Sequence, residues 1–325
     1  MHNFTSKYNE DLFFRGIGHL SDEGIENAAK MGAAFKKRYV DSGYLDGRMQ
    51  PAQIYMRSSP VPRVLMSASS FGGALFNRTE GGQARIPPIY TLAYEDDLLL
   101  VPQIWCPDGW DQIAEKIGYK LEGNPDNDAK GQFNPQQNRI IAAADVDGDL
   151  IEGIVAEISN TKAKHTEAEK KCYNDEAKEI LFNYISLLGG VGENHNEPRL
   201  KRVVGYLLKT VLDNMVRQIS CGMNCTSEAK MRVYYTHDIN VMALGEVLGM
   251  TGLWKGITPE FSSSITLELR SSSHGPYVKL LLKNGINADF VVLDLCKGGK
   301  RGCTLDSIIQ ATSHFVVASP TKGHP

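Results

Sequence analysis

The chain has 325 residues, 42 % of them hydrophobic and 22 % charged, which is enough for a sizeable core, as one large α/β domain or a core with an insertion. Its net charge is −3 with no basic block, which excludes the Lys- and Arg-rich footprint of a nucleic-acid binder. No apolar run approaches the roughly 18 residues that a membrane-spanning helix needs.

Residues 1 to 18 are mostly polar and irregular. Ser21-Asp22-Glu23 has the form of a helix start, with a capping hydroxyl and two acids in the first turn. Ile25, Ala28, Ala29, Gly32, Ala33 and Phe35 carry that helix to about Tyr39. Gln53 to Met56 reads as a short strand with Arg57 at its carboxyl end. Ser58-Ser59-Pro60 then leads into a second helix with proline in its first turn, where the missing N–H costs nothing. Arg57 has the chemistry for phosphate, because a guanidinium meets phosphate oxygens in pairs. Arg63 is better read as a helical surface residue in a salt bridge.

Ile89 to Leu92 is a predicted strand. Glu95-Asp96-Asp97 is read as a solvated acidic loop, since three consecutive acids point in different directions. Leu98 to Val101, broken at Pro102, is a buried strand or loop. Trp105-Cys106-Pro107 and Trp110 open a long, largely helical middle in which Pro125 to Asn138 is a polar loop. Asp175 to Leu188 is a helix ending at Gly189-Gly190. Leu200 to Ile219 carries one continuous apolar stripe at helical spacing, a core face rather than a cofactor site.

Met231 to Met250, MRVYYTHDINVMALGEVLGM, is the most informative stretch. A β-branched and aromatic run gives a strand, Thr236-His237-Asp238 gives a turn, and Ile239 to Val247 gives a helix stopped by Gly249. Such a join lies at the carboxyl end of a strand and beside a helix N-terminus, where α/β proteins bind ligands and anions. Asp238 has two readings here: an ordinary helix cap, or half of a catalytic His-Asp pair. Downstream, Ser264 to Leu269 and Tyr277 to Leu282 form a β-hairpin with a long turn. Phe290 to Leu295 is a last strand, and Leu305 to Ala311 a short helix.

The six cysteines are Cys106, Cys172, Cys221, Cys225, Cys296 and Cys303. No CxxC pair and no histidine at zinc spacing occurs, so no metal site is expected. Three sequons, beginning at Asn3, Asn77 and Asn224, together with an even cysteine count favour the secretory pathway and disulfides. The N-terminus MHNFTSKYNEDLFFRG has no apolar signal region. The expectation is therefore either a cytosolic protein or a chain without its original beginning.

Four stretches resemble the histidine acid phosphatases, the group that contains the prostatic and lysosomal acid phosphatases, in branch two of the histidine phosphatase superfamily. Gly16 to Gly24 (GIGHLSDEG) resembles the GxGxLTxxG helix start of that family. Ile54 to Ser59, continuing from Arg63 to Ala68, resembles its IYxRSTxxxRTLMSA segment. Asp97 through Pro107 resembles the segment with its first structural cysteine, and Tyr235-Thr236-His237-Asp238 resembles its SAHD. With the late cysteine loop, they run in the right order over about residues 16 to 306.

The resemblance implies an α/β fold with a mixed, mostly parallel sheet flanked by helices and a helical insertion. The core would be 1–105 and 226–325, with the insertion at 106–225. It implies hydrolysis of small phosphate monoesters near acid pH, without metal or other cofactor. In the family a histidine attacks phosphorus, arginines and a second histidine hold the phosphate oxygens, and an aspartic acid protonates the leaving alcohol. Arg57 matches a phosphate-binding arginine, His237 the phosphate-binding histidine and Asp238 the proton donor. The family often forms homodimers.

The departure is at the nucleophile. The family carries it in an Arg-His-Gly-x-Arg motif at the end of its first strand, and no Arg-His-Gly occurs in this sequence. His19 lies inside the matched helix start and reads as a surface or capping residue. His2 has no strand before it. One missing N-terminal segment would explain the absence of the nucleophile, of the first strand and of a signal region together. Pro60 and Pro62 stand where the family has acidic residues. Cys106 matches a family cysteine, and the resemblance pairs Cys296 with Cys303; Cys172, Cys221 and Cys225 must pair in some other way. Two functional readings follow: an acid phosphatase without its nucleophile segment, or a non-catalytic relative that binds a phosphorylated ligand or serves as a structural secreted protein.

Overall fold

The structure is a computed structural model that describes residues 15, 19–76, 85–101, 182, 185–222, 225, 228–250, 254, 258–293 and 303–318. Trp105 to Cys106, the 125–138 loop, Cys172, the asparagines of the three sequons, Cys296 and the glycines at 16 and 18 lie outside the described residues.

Helix α1 spans Asp22–Phe35 and starts as its sequence dictates, with the Ser21 side chain accepting from the Gly24 amide. A wider turn continues it over Lys36–Val40. Strand β1 (Ile54–Ser58) runs into helix α2 (Pro62–Leu75), which has proline in its first turn. Strand β2 is only Ile89–Tyr90, shorter than the predicted 89–92. Helix α3 (Glu197–Cys221) is capped by Asn196, whose side chain accepts from the Arg199 amide. Strand β3 (Met231–Tyr235) passes directly into helix α4 (Asp238–Val247), which is closed by Gly249 at φ +77°. Strands β4 (Ser264–Ser272), β5 (Gly275–Lys283) and β6 (Val291–Leu293) follow, then helix α5 (Leu305–Thr312).

The described strands form two three-stranded sheets. One is wholly parallel in the order β2-β1-β3, and the other is antiparallel in the order β4-β5-β6. The hairpin between β4 and β5 turns on two residues, Ser273 and His274, because Ser272 pairs with Gly275. The long turn expected from the sequence is thus replaced by a tight one, with Gly275 supplying a left-handed φ of +103°.

Two hydrophobic clusters cover the parallel sheet. Phe35, Met56, Ala68, Phe71 and Leu75 lie under α1 and α2, and Tyr235 packs edge-on against Phe71 with centroids 5.6 Å apart. Leu200, Leu207, Leu208, Ile239, Met242 and Val247 join α3 to α4. The α3 stripe is buried from Leu200 to Met215, but Val216 and Ile219 are exposed, so it is a core face for most and not all of its length. The described residues contain a disulfide between Cys221 and Cys225, just beyond α3, and Cys303 is disulfide-bonded as well. No helix among the described residues is long and apolar enough to cross a membrane.

Candidate active site

Parallel pairing aligns the carboxyl ends of β1 and β3. Arg57 stands opposite Tyr234 and Ser58 opposite Tyr235, and the Ser59 amide extends the ladder by donating to the Tyr235 carbonyl at 2.9 Å. Two loops, each leading to a helix N-terminus, therefore leave the same edge of the sheet side by side. This is where a doubly wound sheet places a ligand and where helix amides favour negative charge.

His237 occupies the N-cap position of α4, its carbonyl accepting from the Asn240 and Val241 amides. Asp238 is the first helical residue, and its carboxylate accepts from the Ile239 amide at 2.8 Å. The capping and site readings of the sequence are thus divided between two residues: the His237 backbone starts the helix, and Asp238 adds an acid to its first turn. The loop is pinned from below. The Thr236 hydroxyl donates to the Leu100 carbonyl (3.0 Å) or to Asn240 Oδ1 (2.7 Å), and Asn240 Nδ2 reaches the Val203 carbonyl of α3.

Burial and charge tune the pair in a definite direction. Burial, and then the positive charge of Arg63, lower the His237 imidazole to about 4. Burial raises the Asp238 carboxyl above its ordinary value, against the Ile239 amide and Arg63, which lower it. Asp238 nevertheless keeps solvent-accessible surface. A neutral imidazole that donates from one nitrogen and a carboxyl whose hold on its proton is strengthened suit the binding of an anion and the donation of a proton to a leaving oxygen. The His237 Nε2 atom is buried and has no hydrogen-bond partner among the described residues.

Arg57 is 4 % exposed, and its guanidinium is already engaged. Nη2 forms an ion pair with Asp97 Oδ2 at 2.9 Å, and Nη1 donates to the Ser58 carbonyl and, at 3.4 Å, to the Tyr90 carbonyl. Asp97 is fully buried and also accepts from the Leu100 amide at 3.2 Å. The solvated acidic loop expected at 95–97 is corrected here: Glu95 and Asp96 are exposed, but Asp97 turns inward, because the buried Arg57 cation requires a counter-charge. Burial outweighs the Arg57 charge and the backbone donors, leaving the Asp97 carboxyl above its ordinary value.

Arg63 has a further electrostatic role. It is partly buried in the first turn of α2, and its charge acts on both His237 and Asp238. Sequence reasoning also passed over Ser59, which is fully buried with an Oγ that lacks a partner among the described residues. Two signals were present for these residues. Asp97 directly precedes an apolar run, and Arg63 puts a cation in a helix's first turn, where the macrodipole opposes it. His19, read as a surface or capping residue, is exposed.

Comparison with known proteins agrees with the fold. The chain is 26 % identical over 339 residues to the Caenorhabditis elegans protein named "Putative acid phosphatase 1", covering 98 % of this chain and 77 % of that one. It is 24 % identical over 319 residues to the prostatic acid phosphatase of Mus musculus, covering 94 % of this chain and 80 % of that one. The apo form of Hafnia alvei phytase superposes with a TM-score of 0.61 at 15 % identity, covering 98 % of this chain and 90 % of that chain, and so shares the fold. The family described as histidine phosphatase superfamily (branch 2) matches residues 2–283, and the chain belongs to it.

Proposed function

We propose that this chain carries the phosphate-holding and proton-donating part of an acid phosphatase site acting on small phosphate monoesters. Arg57 and His237 hold phosphate oxygens, and Asp238 gives its proton to the leaving alcohol. The observation that carries this reading is the alignment of Arg57 and the His237-Asp238 pair at neighbouring carboxyl ends of parallel strands, beside the N-termini of α2 and α4. The direction of both shifts supports it: an imidazole favoured in its neutral form and a carboxyl that holds its proton more tightly than usual match the two roles.

In the intact family chemistry a histidine attacks phosphorus, the alkoxide leaves with the Asp238 proton, and water then releases phosphate from the histidine. No Arg-His-Gly occurs in residues 1–325, so this sequence alone supplies no nucleophile for the first step. Residues 1–325 are accordingly proposed to bind phosphate and phosphomonoesters without turnover. That absence also favours a second reading, a phosphate-ligand-binding relative that needs no covalent step. The Cys221–Cys225 disulfide and the three sequons support a place in the secretory pathway.

The test is to incubate residues 1–325 with an aryl phosphate at acid pH and to measure phosphate release and phosphate binding separately. Binding without release is expected. Release that Asp238→Ala abolishes would contradict the proposed inactivity.

A further inference from the structure

The segment between β2 and Leu98 is fastened at both ends to one side chain. β2 runs parallel to β1 with Tyr90 opposite Arg57, so residues 91–96 leave it at the carboxyl edge that also bears His237 and Asp238. At the near end Arg57 Nη1 donates to the Tyr90 carbonyl at 3.4 Å, and at the far end Arg57 Nη2 pairs with Asp97 Oδ2 at 2.9 Å. A segment whose two ends meet at one guanidinium must arch, and it arches over the rim of this edge. Tyr94 opens a single helical turn in the arch, closed by the Asp96 amide donating to the Ala93 carbonyl at 3.0 Å.

The arch carries two large apolar side chains that the fold leaves open, Leu92 at 51 % and Tyr94 at 45 % exposure. The Tyr90 ring is stacked on Tyr55 with centroids 5.2 Å apart, whereas Tyr94 has neither a hydrogen bond nor a ring contact among the described residues. Tyr94 is also close to the candidate site, since the Arg63 charge that acts on His237 and Asp238 acts on Tyr94 as well. An open aromatic ring and a leucine beside a polar, charged recess favour a ligand with an anionic head and a flat apolar body.

We propose that Tyr94 and Leu92 form the wall of a subsite for the leaving alcohol, which takes an aromatic or apolar alcohol in preference to a hydrophilic one. This rests on the proposed phosphate-binding role and adds the substrate class. A phosphoryl group held at the sheet edge turns its ester oxygen towards Asp238 and the rest of the alcohol outward, past the arch. An aryl group there lies against the Tyr94 ring and the Leu92 side chain, while a small polyol leaves both in water.

The test titrates inorganic phosphate, benzylphosphonate and 2-hydroxyethylphosphonate into residues 1–325 by calorimetry. The two phosphonates share one charged head and have no ester bond to hydrolyse. Wild type is expected to bind benzylphosphonate about three- to tenfold more tightly than 2-hydroxyethylphosphonate. Tyr94→Ala is expected to remove most of that preference and Leu92→Ala part of it, both with unchanged affinity for inorganic phosphate. Tyr94→Phe, which retains the ring, is expected to keep the preference, and Leu92→Ala carries the test if Tyr94→Ala unfolds. Equal affinity of wild type for the two phosphonates, or a preference that survives both alanine variants, would overturn the subsite and leave the phosphate reading standing. Loss of all three ligands together in Tyr94→Ala would show that the arch only positions Arg57, and would also overturn the subsite. A wild-type protein that binds no inorganic phosphate would overturn both.

Discussion

Arg57 and Asp97 form a buried ion pair at 2.9 Å, their side chains 5 % and 0 % exposed, that joins the end of β1 to the loop before Leu98. Removing one partner leaves the other charge buried and uncompensated. Asp97→Ala is expected to destabilise the protein by about 3–5 kcal/mol, while Asp97→Leu combined with Arg57→Met restores much of that loss. Chemical denaturation of the three proteins checks this. A single Asp97→Ala variant as stable as wild type would show that Arg57 finds solvent or another anion when released.

Ser59 offers the opposite expectation. Its hydroxyl is buried without a partner among the described residues, so Ser59→Ala removes a desolvated group and no hydrogen bond. Stability should stay the same or rise slightly, within about 1 kcal/mol, in thermal unfolding. A clear loss would mean that the hydroxyl has a partner in the folded protein.

Histidine burial makes stability depend on pH in a definite sense. With the His237 imidazole lowered to about 4 in the folded state and near 6.5 when unfolded, the unfolded chain binds more protons between these values. The contribution of His237 to stability is complete above about 6.5, falls as pH drops through that window and levels off below about 4, by up to about 3 kcal/mol before solvent contact reduces it. Asp238, raised in the folded state, opposes this by gaining stability as pH falls towards its unfolded value. His237→Gln is therefore expected to flatten the acid limb of a stability–pH curve measured by thermal unfolding. An unchanged acid limb would contradict the buried, neutral imidazole.

Glu268 joins β4 to the end of α1. Its carboxylate receives Arg38 Nε and the Tyr39 hydroxyl, each at 2.7 Å, and Arg270 Nε at 2.8 Å. Burial alone would raise its carboxyl, but Tyr39, Arg38 and Arg270 together hold it below the ordinary value. That contribution is present above the unfolded carboxylate pKa and is lost as pH falls through the lower folded one. Glu268→Gln is expected to cost about 2–4 kcal/mol near neutral pH and progressively less in strong acid, measured as the difference in unfolding midpoint.

The sequence makes the joins legible and the partners across space illegible. The capping hydroxyl of Ser21, the proline at the start of α2 and the apolar-polar-apolar pattern of 231–250 are local signals, and the structure has each element where they indicate. The His237-Asp238 turn stood out for the same reason. The inward turn of Asp97 depends on Arg57, forty residues earlier in sequence, and nothing in three consecutive acids announces which one is buried. The tight Ser273-His274 turn was missed because pairing continues through polar residues, which carry little strand signal. The effect of the Arg63 charge on His237 is illegible in the sequence, because only the register of β1 against β3 brings their two loops to one edge.

The measurement that tests the account most directly is the titration of the His237 imidazole in residues 1–325 with and without inorganic phosphate. The account predicts a low titration in free protein and an upward movement when phosphate saturates, because a bound anion favours the imidazolium, with Asp238 perturbed in parallel. An imidazole whose titration ignores phosphate, in a protein that remains folded, would contradict the assignment of this edge of the sheet as a phosphate site.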